Sequence, residues 1–190
     1  TITADFAFPI RLRSFSYFAT LSLVSACLLL PTYLTSKPVV FATDIGGDVD
    51  DTWALAHILR SKELDLKMAL TETGDAEYRA KVAAKVLQVA EREDVIVALG
   101  KDFGIMPDPE RHQGPWVRSY KLSDYKGPIE QDGVSAFIDF VESSKETVTV
   151  IAVGPVPSLA AAIGQRPEIA KKCDFFGMFG SFYSGYDGSK

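Results

Sequence analysis

The sequence predicts an α/β fold in which an open, mainly parallel, Rossmann-like sheet is flanked by helices. Short, apolar, β-branched runs alternate with stretches whose apolar residues recur at the helical period, which is the pattern of βαβ units. The 190 residues are 47% hydrophobic and 24% charged, a composition typical of a globular domain. This length fits a single hydrophobic core.

The first predicted strand covers residues 38–43 (PVVFAT), and its apolar, β-branched run without alternation is typical of a buried parallel strand. Asp44 and two glycines close the strand and indicate a loop. A helix is expected next, with Asp50 or Asp51 as its cap. Its apolar stripe has the helical period and comprises Trp53, Ala54, Leu55, Ile58 and Leu59.

The same alternation continues towards the end of the sequence. Further strands are predicted at residues 66–71, 95–99, 148–153 and 175–179. Further helices are predicted at residues 78–91, 133–143 and 158–165. Residues 100–132 interrupt the alternation with four prolines, and so long a connection is often a functional lid. Ligands of such sheets lie beyond the carboxyl ends of the strands, so the residues that follow each strand are the candidates for a site.

Charge and cysteine content argue against two classes of protein. The chain has 20 Lys and Arg residues against 25 Asp and Glu residues, and its net charge of -5 does not suit a protein whose main partner is a nucleic-acid backbone. The two cysteines, Cys27 and Cys173, are too few for a disulfide framework. Neither has the Cys or His neighbours of a structural zinc site.

Residues 1–37 differ in composition from the rest of the chain. Two arginines precede an almost uncharged stretch at residues 15–30, which is the layout of a signal peptide or an uncleaved membrane anchor. Residues 24–27 also resemble a lipobox, so lipidation of Cys27 is a further alternative. The sequence therefore predicts a targeting segment followed by an α/β domain of residues 38–190, in a secreted or cell-envelope protein.

Four aspartates lie within eight residues directly after the first strand: Asp44, Asp48, Asp50 and Asp51. In a half-buried loop their mutual repulsion would raise some of their pKa values, and a bound cation would relieve it. Carboxylate and carbonyl oxygens suit Ca²⁺ or Mg²⁺, and the loop holds no His or Cys to favour zinc. The spacing is not that of an EF-hand, because Leu55 and Leu59 stand where a bidentate Glu is required.

Two other interpretations of the aspartates need no cation. Aspartates are frequent in turns and at helix caps, so a solvent-exposed capping loop would also contain them. Asp48-Val49-Asp50 also has the form of the Asp-x-Asp nucleophile of haloacid-dehalogenase-like phosphatases. That nucleophile stands at the strand end, where Asp44 is paired with Gly46 and lacks the second acid.

Residues 40–55 (VFATDIGGDVDDTWAL) resemble the amino-terminal signature of the inosine/uridine-preferring nucleoside hydrolases, in a variant with a longer loop. The similarity continues through residues 73–75 (TGD), 97–100 (VALG), 152–160 (AVGPVPSLA) and 176–180 (FGMFG). It covers about residues 38–190, and the aspartate loop is its most specific part. The resemblance implies the nucleoside hydrolase fold, of which this sequence is expected to be the amino-terminal part.

The resemblance implies a calcium-dependent hydrolase that cleaves the N-glycosidic bond of a ribonucleoside to give ribose and a free base. By position, Asp44 and Asp51 would be side-chain metal ligands, Val153 would supply a backbone carbonyl ligand, and Asp48 is a further candidate ligand. Asp50 would be the general base that acts on a water held by the metal. Asp48 and Asp50 remain exchangeable in these roles, since the loop is two residues longer than the common form.

The resemblance also implies two substrate-binding residues. Asp75 would reach a ribose hydroxyl and Met178 would line the sugar pocket. The family pattern has Asn where this chain has Asp75, a departure that bears on sugar specificity. The expected partner is a small nucleoside rather than a nucleic acid, with homo-oligomerisation and membrane attachment through the amino-terminal segment as further expectations.

Two other functions stay open at this point. One is a catalytically incomplete, metal-stabilised module that binds a nucleoside or a sugar, and the other is a phosphatase-like hydrolase. In the family, a ribose-binding segment with Asn and Glu, and later a His and an Asp, follow the region that is resembled here. The residues of this sequence therefore do not indicate which base would be preferred.

Overall fold

The computed structural model describes residues 36–102, 111–178 and 183–184. Its strands are β1 (Lys37–Thr43), β2 (Leu64–Thr71), β3 (Ile96–Leu99), β4 (Ile129–Glu130), β5 (Val148–Ala152) and β6 (Cys173–Gly177). Its helices are α1 (Asp50–Arg60), α2 (Ala76–Val89), α3 (Gly114–Val117), α4 (Gly133–Ser143) and α5 (Pro157–Gln165). The strands form one parallel six-stranded sheet in the order β4-β3-β2-β1-β5-β6, which confirms the predicted α/β fold class.

Strand β1 lies in the middle of the sheet and pairs with both β2 and β5. The pairing places Thr43 beside Thr71 of β2, and Ala42 beside Ala152 of β5. The direction of strand addition reverses here, because β2 and β3 extend the sheet on one side of β1 whereas β5 and β6 extend it on the other. In open parallel sheets the ligand crevice lies outside the carboxyl ends of the two strands at such a reversal. The topology therefore marks the ends of β1 and β5 as the place for a site.

Helices cover both faces of the sheet, and each face has its own hydrophobic core. On one face Val39 and Phe41 pack with apolar residues of α1 and α2. On the other face Val40 and Ala42 pack with apolar residues of α4 and α5. These four consecutive residues of β1 are fully buried, which explains why this part of the strand is apolar without alternation.

Several element boundaries differ from the sequence prediction by one or two residues. Helix α2 begins at Ala76 rather than at residue 78, because Asp75 caps it. Helix α1 begins at Asp50 with Val49 at the cap position, so neither Asp50 nor Asp51 is the cap, and both lie in the first turn. Strand β6 covers residues 173–177 rather than 175–179, and residue 179 lies outside the described residues. The short elements β4 and α3, inside the long connection, were not predicted.

The predicted amino-terminal segment covers residues 1–37, of which residues 1–35 lie outside the described part of the chain. The signal peptide, the anchor and the lipidation of Cys27 therefore stay predictions. No helix within the described ranges is long and apolar enough to cross a membrane. Cys173 is half-buried at the start of β6, and burial raises the pKa of its thiol to about 11, which makes it a poor nucleophile at neutral pH.

Candidate functional site

The aspartate loop, residues 44–51, leaves β1 at the reversal point and lies against the segment that follows β5. A Cβ atom built on Gly154 would stand 2.1 Å from Oδ1 of Asp44 and 2.6 Å from its Cγ. The carboxylate of Asp44 therefore rests directly on the backbone of Gly154, the residue after Val153. This contact brings together the first aspartate and the backbone segment that the sequence predicts as metal ligands.

Thr43, the last residue of β1, connects the two ends of the aspartate loop. Its hydroxyl donates a hydrogen bond to Oδ2 of Asp51 and accepts one from the backbone N–H of Ile45 at 3.0 Å. Thr43 and Asp51 are both buried. The loop thus returns to the strand end from which it started, and the carboxylate of Asp51 points back towards Asp44.

Burial and neighbouring negative charges raise the pKa values of two aspartates in this loop. Burial raises the pKa of Asp51 to about 7, the negative charges of Asp44 and Asp50 add to the effect, and the hydrogen bond from Thr43 opposes it. The pKa of Asp48 is raised mainly by its hydrogen bond and charge interaction with Asp50, and both of these side chains are exposed. Near neutral pH the loop holds closely spaced carboxylates that a cation would stabilise.

Asp50 and Asp48 form the exposed middle of the loop. Asp50 is the first residue of α1, and its Oδ1 accepts a hydrogen bond from the backbone N–H of Asp51 at 3.0 Å. The carbonyl of Asp48 accepts a hydrogen bond from Nε2 of Gln113 at 2.8 Å, and Oε1 of Gln113 accepts one from Thr52 at 3.0 Å. The long connection, predicted as a lid, therefore touches the aspartate loop at Gln113, a contact that the sequence did not indicate.

Two side chains of helix α2 hold the backbone of the aspartate loop by hydrogen bonds. The Tyr78 hydroxyl donates to the carbonyl of Gly46 at 2.7 Å, and Nη1 of Arg79 donates to the carbonyl of Ile45 at 3.1 Å. Gly46 has a φ of +112°, and a Cβ atom there would lie 2.7 Å from the Tyr78 ring. A glycine is required at this position both by the left-handed backbone and by the close tyrosine.

Asp75 follows β2 at the same edge of the sheet, and its carboxylate already has two partners. It accepts the backbone N–H of Tyr78 at 3.0 Å as the cap of α2, and it forms an ion pair with Nη2 of Arg111 at 2.9 Å. The guanidinium of Arg111 also lies over the Tyr78 ring, 5.4 Å from its centre. The Asp75 carboxylate is therefore held by an arginine and by the first turn of α2.

Glu72 is a buried acid at this edge that the sequence analysis did not single out. Its carboxylate accepts the backbone N–H groups of Ser158 and Leu159, at 2.8 and 3.3 Å, in the first turn of α5. Burial raises its pKa to about 7, while these hydrogen bonds lower it. Glu72 thus joins the end of β2 to the start of α5, and its position directly after a buried strand is the signal that could have identified it.

The remaining predicted residues, Val153 and Met178, directly follow β5 and β6. The backbone N–H of Val153 donates to the carbonyl of Ala42 at 3.0 Å, which fixes Val153 beside the end of β1. The backbone N–H of Met178 donates to the carbonyl of Ala152 at 3.0 Å, and its side chain is 59% exposed. Val153 is therefore adjacent to the aspartate loop, whereas Met178 follows β6, which is separated from β1 by β5.

The donor types of the loop fit a hard cation, because they are all oxygens and carry excess negative charge. Within residues 36–102, 111–178 and 183–184, however, no group of three or more His, Cys, Asp or Glu side chains is arranged to hold a metal ion. Asp44 and Asp51 point towards each other, while Asp48 and Asp50 form a separate exposed pair. Joint coordination by three of these carboxylates would therefore require side-chain rotation.

Comparison with known proteins identifies the family. The family model described as inosine-uridine preferring nucleoside hydrolase matches residues 39–187. The non-specific ribonucleoside hydrolase RihC of Escherichia fergusonii is 27% identical over 138 residues, which are 69% of this chain and 44% of that protein. The probable uridine nucleosidase 2 of Arabidopsis thaliana is 27% identical over 157 residues, 78% of this chain and 48% of that protein.

Solved structures agree with this assignment. The plant nucleoside hydrolase PpNRh1 superposes with a TM-score of 0.63 at 26% identity, covering 78% of this chain and 49% of that one. The chain spans about half the length of the curated relatives that it matches. On the family match and the shared fold, the chain belongs to the inosine-uridine preferring nucleoside hydrolase family.

Proposed function

We propose that the full-length protein hydrolyses the N-glycosidic bond of ribonucleosides, giving ribose and a free base, with a calcium ion held by the aspartate loop. The observation that carries the proposal is the position of four closely spaced carboxylates at the strand reversal of a nucleoside hydrolase family member. The relatives named as a ribonucleoside hydrolase and a uridine nucleosidase support a ribonucleoside as the substrate class.

Asp44, Asp51 and the backbone carbonyl of Val153 are the proposed ligands of the ion, with Asp48 as a further candidate. Asp44 and Asp51 already interact, and Val153 precedes the glycine on which Asp44 rests. When bound, the calcium ion would lower the pKa of a water molecule and bind the ribose diol. Thr43 would hold Asp51 in the orientation that the ion requires, because its hydroxyl binds one of the two carboxylate oxygens.

Asp50 is the proposed general base. It lies in the exposed middle of the aspartate loop, and one of its oxygens is oriented by the backbone N–H of Asp51. Its other oxygen would take a proton from the attacking water as positive charge develops on the sugar. Asp48 interacts with Asp50 and is the residue that could replace it in this role.

Asp75 and Met178 are the proposed contacts to the sugar. Asp75 lies in the segment that follows β2, and its carboxylate forms an ion pair with Arg111. Met178 presents an exposed, flexible apolar side chain beyond β6. Both residues lie on the carboxyl side of the sheet, where this fold class binds ligands.

The test is the release of reducing sugar from inosine and uridine by the full-length protein and its Asp50→Asn variant, with Asp139→Asn on the exposed side of α4 as the control. Removal of a general base lowers kcat by about 10²- to 10⁴-fold, and nucleoside binding should change little. The control should retain wild-type turnover. Near wild-type turnover by Asp50→Asn would remove Asp50 from the assigned role.

Turnover in this assay, together with a binding measurement, separates the proposed enzyme from a catalytically incomplete binding module. A nucleoside or ribose that binds the calcium-saturated wild-type protein without any turnover would establish the module and exclude the hydrolase. Release of phosphate from a generic ester would instead indicate the phosphatase-like alternative. Turnover that disappears on calcium chelation and returns on calcium addition would support the proposed mechanism.

The cellular location is a separate proposal, and it rests on the composition of residues 1–37. We propose that the protein is secreted or attached to the cell envelope. Fractionation of cells that produce the full-length protein, with an intact-mass measurement of the product, distinguishes a cleaved, a lipidated and a retained segment. Recovery of all the protein in the cytosol at uncleaved mass would contradict the proposal.

A further inference from the structure

Arg79 is an arginine whose side chain is only 1% exposed. It stands in the first turn of α2, where a surface position would be ordinary for an arginine. Arginines buried to this degree are usually paired with a carboxylate. Among the residues that the structure describes, no carboxylate pairs with Arg79, and its Nη2 has no hydrogen-bond partner.

The guanidinium of Arg79 instead joins the loops that follow two neighbouring strands. Nη1 donates to the carbonyl of Ile45, the residue after Asp44, at 3.1 Å, and Nε donates to the carbonyl of Thr73 at 2.8 Å. Thr73 follows β2 and has a φ of +46°, a conformation that a β-branched residue rarely adopts. One planar group thus holds both the start of the aspartate loop and a strained residue two positions before Asp75.

We propose that Arg79 is a positioning residue of this site, which fixes the backbone of the aspartate loop before an ion or a substrate binds. Its planar fork presents Nε–H and Nη1–H in fixed directions, one to each carbonyl, whereas a lysine offers a single flexible ammonium. Asp44 and Ile45 are consecutive, so the direction of the Asp44 side chain depends on the peptide that Arg79 holds. The inference rests on the proposed function only in taking this loop as the metal site.

If Arg79 acted on the site only through its positive charge, its removal would change calcium affinity in the opposite direction from the removal of a positioning residue. A buried positive charge close to the aspartates repels a calcium ion, so its loss alone would tighten calcium binding. Loss of positioning would weaken calcium binding, because the carboxylates would no longer be held in place. The sign of the change in calcium affinity therefore distinguishes the two roles.

The test compares Arg79→Met and Arg79→Lys in the full-length protein. The control is Arg92→Met, because Arg92 also holds a backbone carbonyl, that of Leu66 at 3.0 Å, at the opposite edge of the sheet. Amide hydrogen exchange is measured on the metal-free proteins, and calcium binding is measured by calorimetry. In Arg79→Met we expect exchange at residues 45–47 to rise about tenfold or more. We expect its calcium affinity to fall about 10- to 100-fold, with a smaller change in Arg79→Lys.

Three results would overturn the proposal: unchanged exchange at residues 45–47 in Arg79→Met, tighter calcium binding, or an equal rise in exchange at these residues in Arg92→Met. If Arg79→Met does not fold, Arg79→Lys carries the test with the same expected signs. If the wild-type protein binds no calcium, the proposed function fails, but the exchange measurement still decides whether Arg79 orders the loop.

Discussion

Replacement of Gly154 by Ala is expected to displace the Asp44 carboxylate. The added Cβ would lie 2.1 Å from Oδ1 of Asp44, whereas a carbon and an oxygen in contact are about 3.3 Å apart. Asp44 would have to move by about 1.2 Å, the difference between these two distances. The backbone of Gly154 is not in the left-handed region, so the effect is one of contact rather than of backbone strain.

Two quantities should change in Gly154→Ala. Overpacking of this kind lowers the free energy of unfolding by about 1–3 kcal/mol. Displacement of a proposed ligand should also weaken calcium binding about 10- to 100-fold, equivalent to about 1.4–2.8 kcal/mol. Urea denaturation of the metal-free protein measures the first quantity, and calcium titration calorimetry measures the second.

The control is the same substitution ten positions further on, inside α5. No atom of the described residues lies within 4 Å of a Cβ atom built on Gly164, so Gly164→Ala should raise stability by about 0.5–1 kcal/mol and leave calcium binding unchanged. An unchanged calcium affinity in Gly154→Ala would refute the reasoning, because it would show that the position of Asp44 against Gly154 does not matter for the ion.

Two further predictions concern side chains that hold the backbone through hydrogen bonds. Thr43→Val removes the donor to buried Asp51 at nearly constant volume, so the free energy of unfolding should fall by about 1–3 kcal/mol in urea titrations, and Thr43→Ser should restore most of it. Asp132→Ala removes the cap of α4, which accepts the Ser135 N–H, and should lower stability by about 1 kcal/mol at neutral pH. The hydrogen bond from the Ser135 N–H lowers the pKa of Asp132, so the stabilisation is complete above the ordinary carboxyl pKa of 3.8 and is lost as the pH falls through the lower folded value. The difference between wild type and Asp132→Ala should therefore vanish in strongly acidic urea titrations, and a difference that persists there would contradict the cap.

The position of the site could be predicted because it depends on patterns that extend over whole strands. The apolar run of β1 indicates a buried parallel strand, and the residues after such a strand form the ligand edge. The four aspartates were visible as a cluster in the sequence. Their grouping into an inner pair and an exposed pair was not visible, because it depends on the hydroxyl of Thr43 and on the first turn of α1.

The residues that the sequence analysis missed act through contacts between distant segments. Glu72 and Asp75 are both acids after β2, and the left-handed backbone at Thr73 and Gly74 separates the buried Glu72 from the capping Asp75. In the sequence, Arg79 is indistinguishable from an arginine on the surface of a helix. Its two carbonyl partners lie in loops outside the helix, so the helical pattern does not indicate them. Strand β4 has only two residues, too few for a period to be recognised.

The aspartate loop has two fixed ends and an exposed middle. Its ends are fixed because they are attached to β1, which packs into both hydrophobic cores. Asp44 continues a strand whose side chains pack into both cores, and Asp51 is tied back to that strand by Thr43. A shift of either end would disturb the packing of β1, whereas Asp48 and Asp50 are exposed between them. We therefore expect the proposed calcium ion to arrive and leave through the middle of the loop, by rotation of two solvated side chains, while the two ends of the loop keep their places.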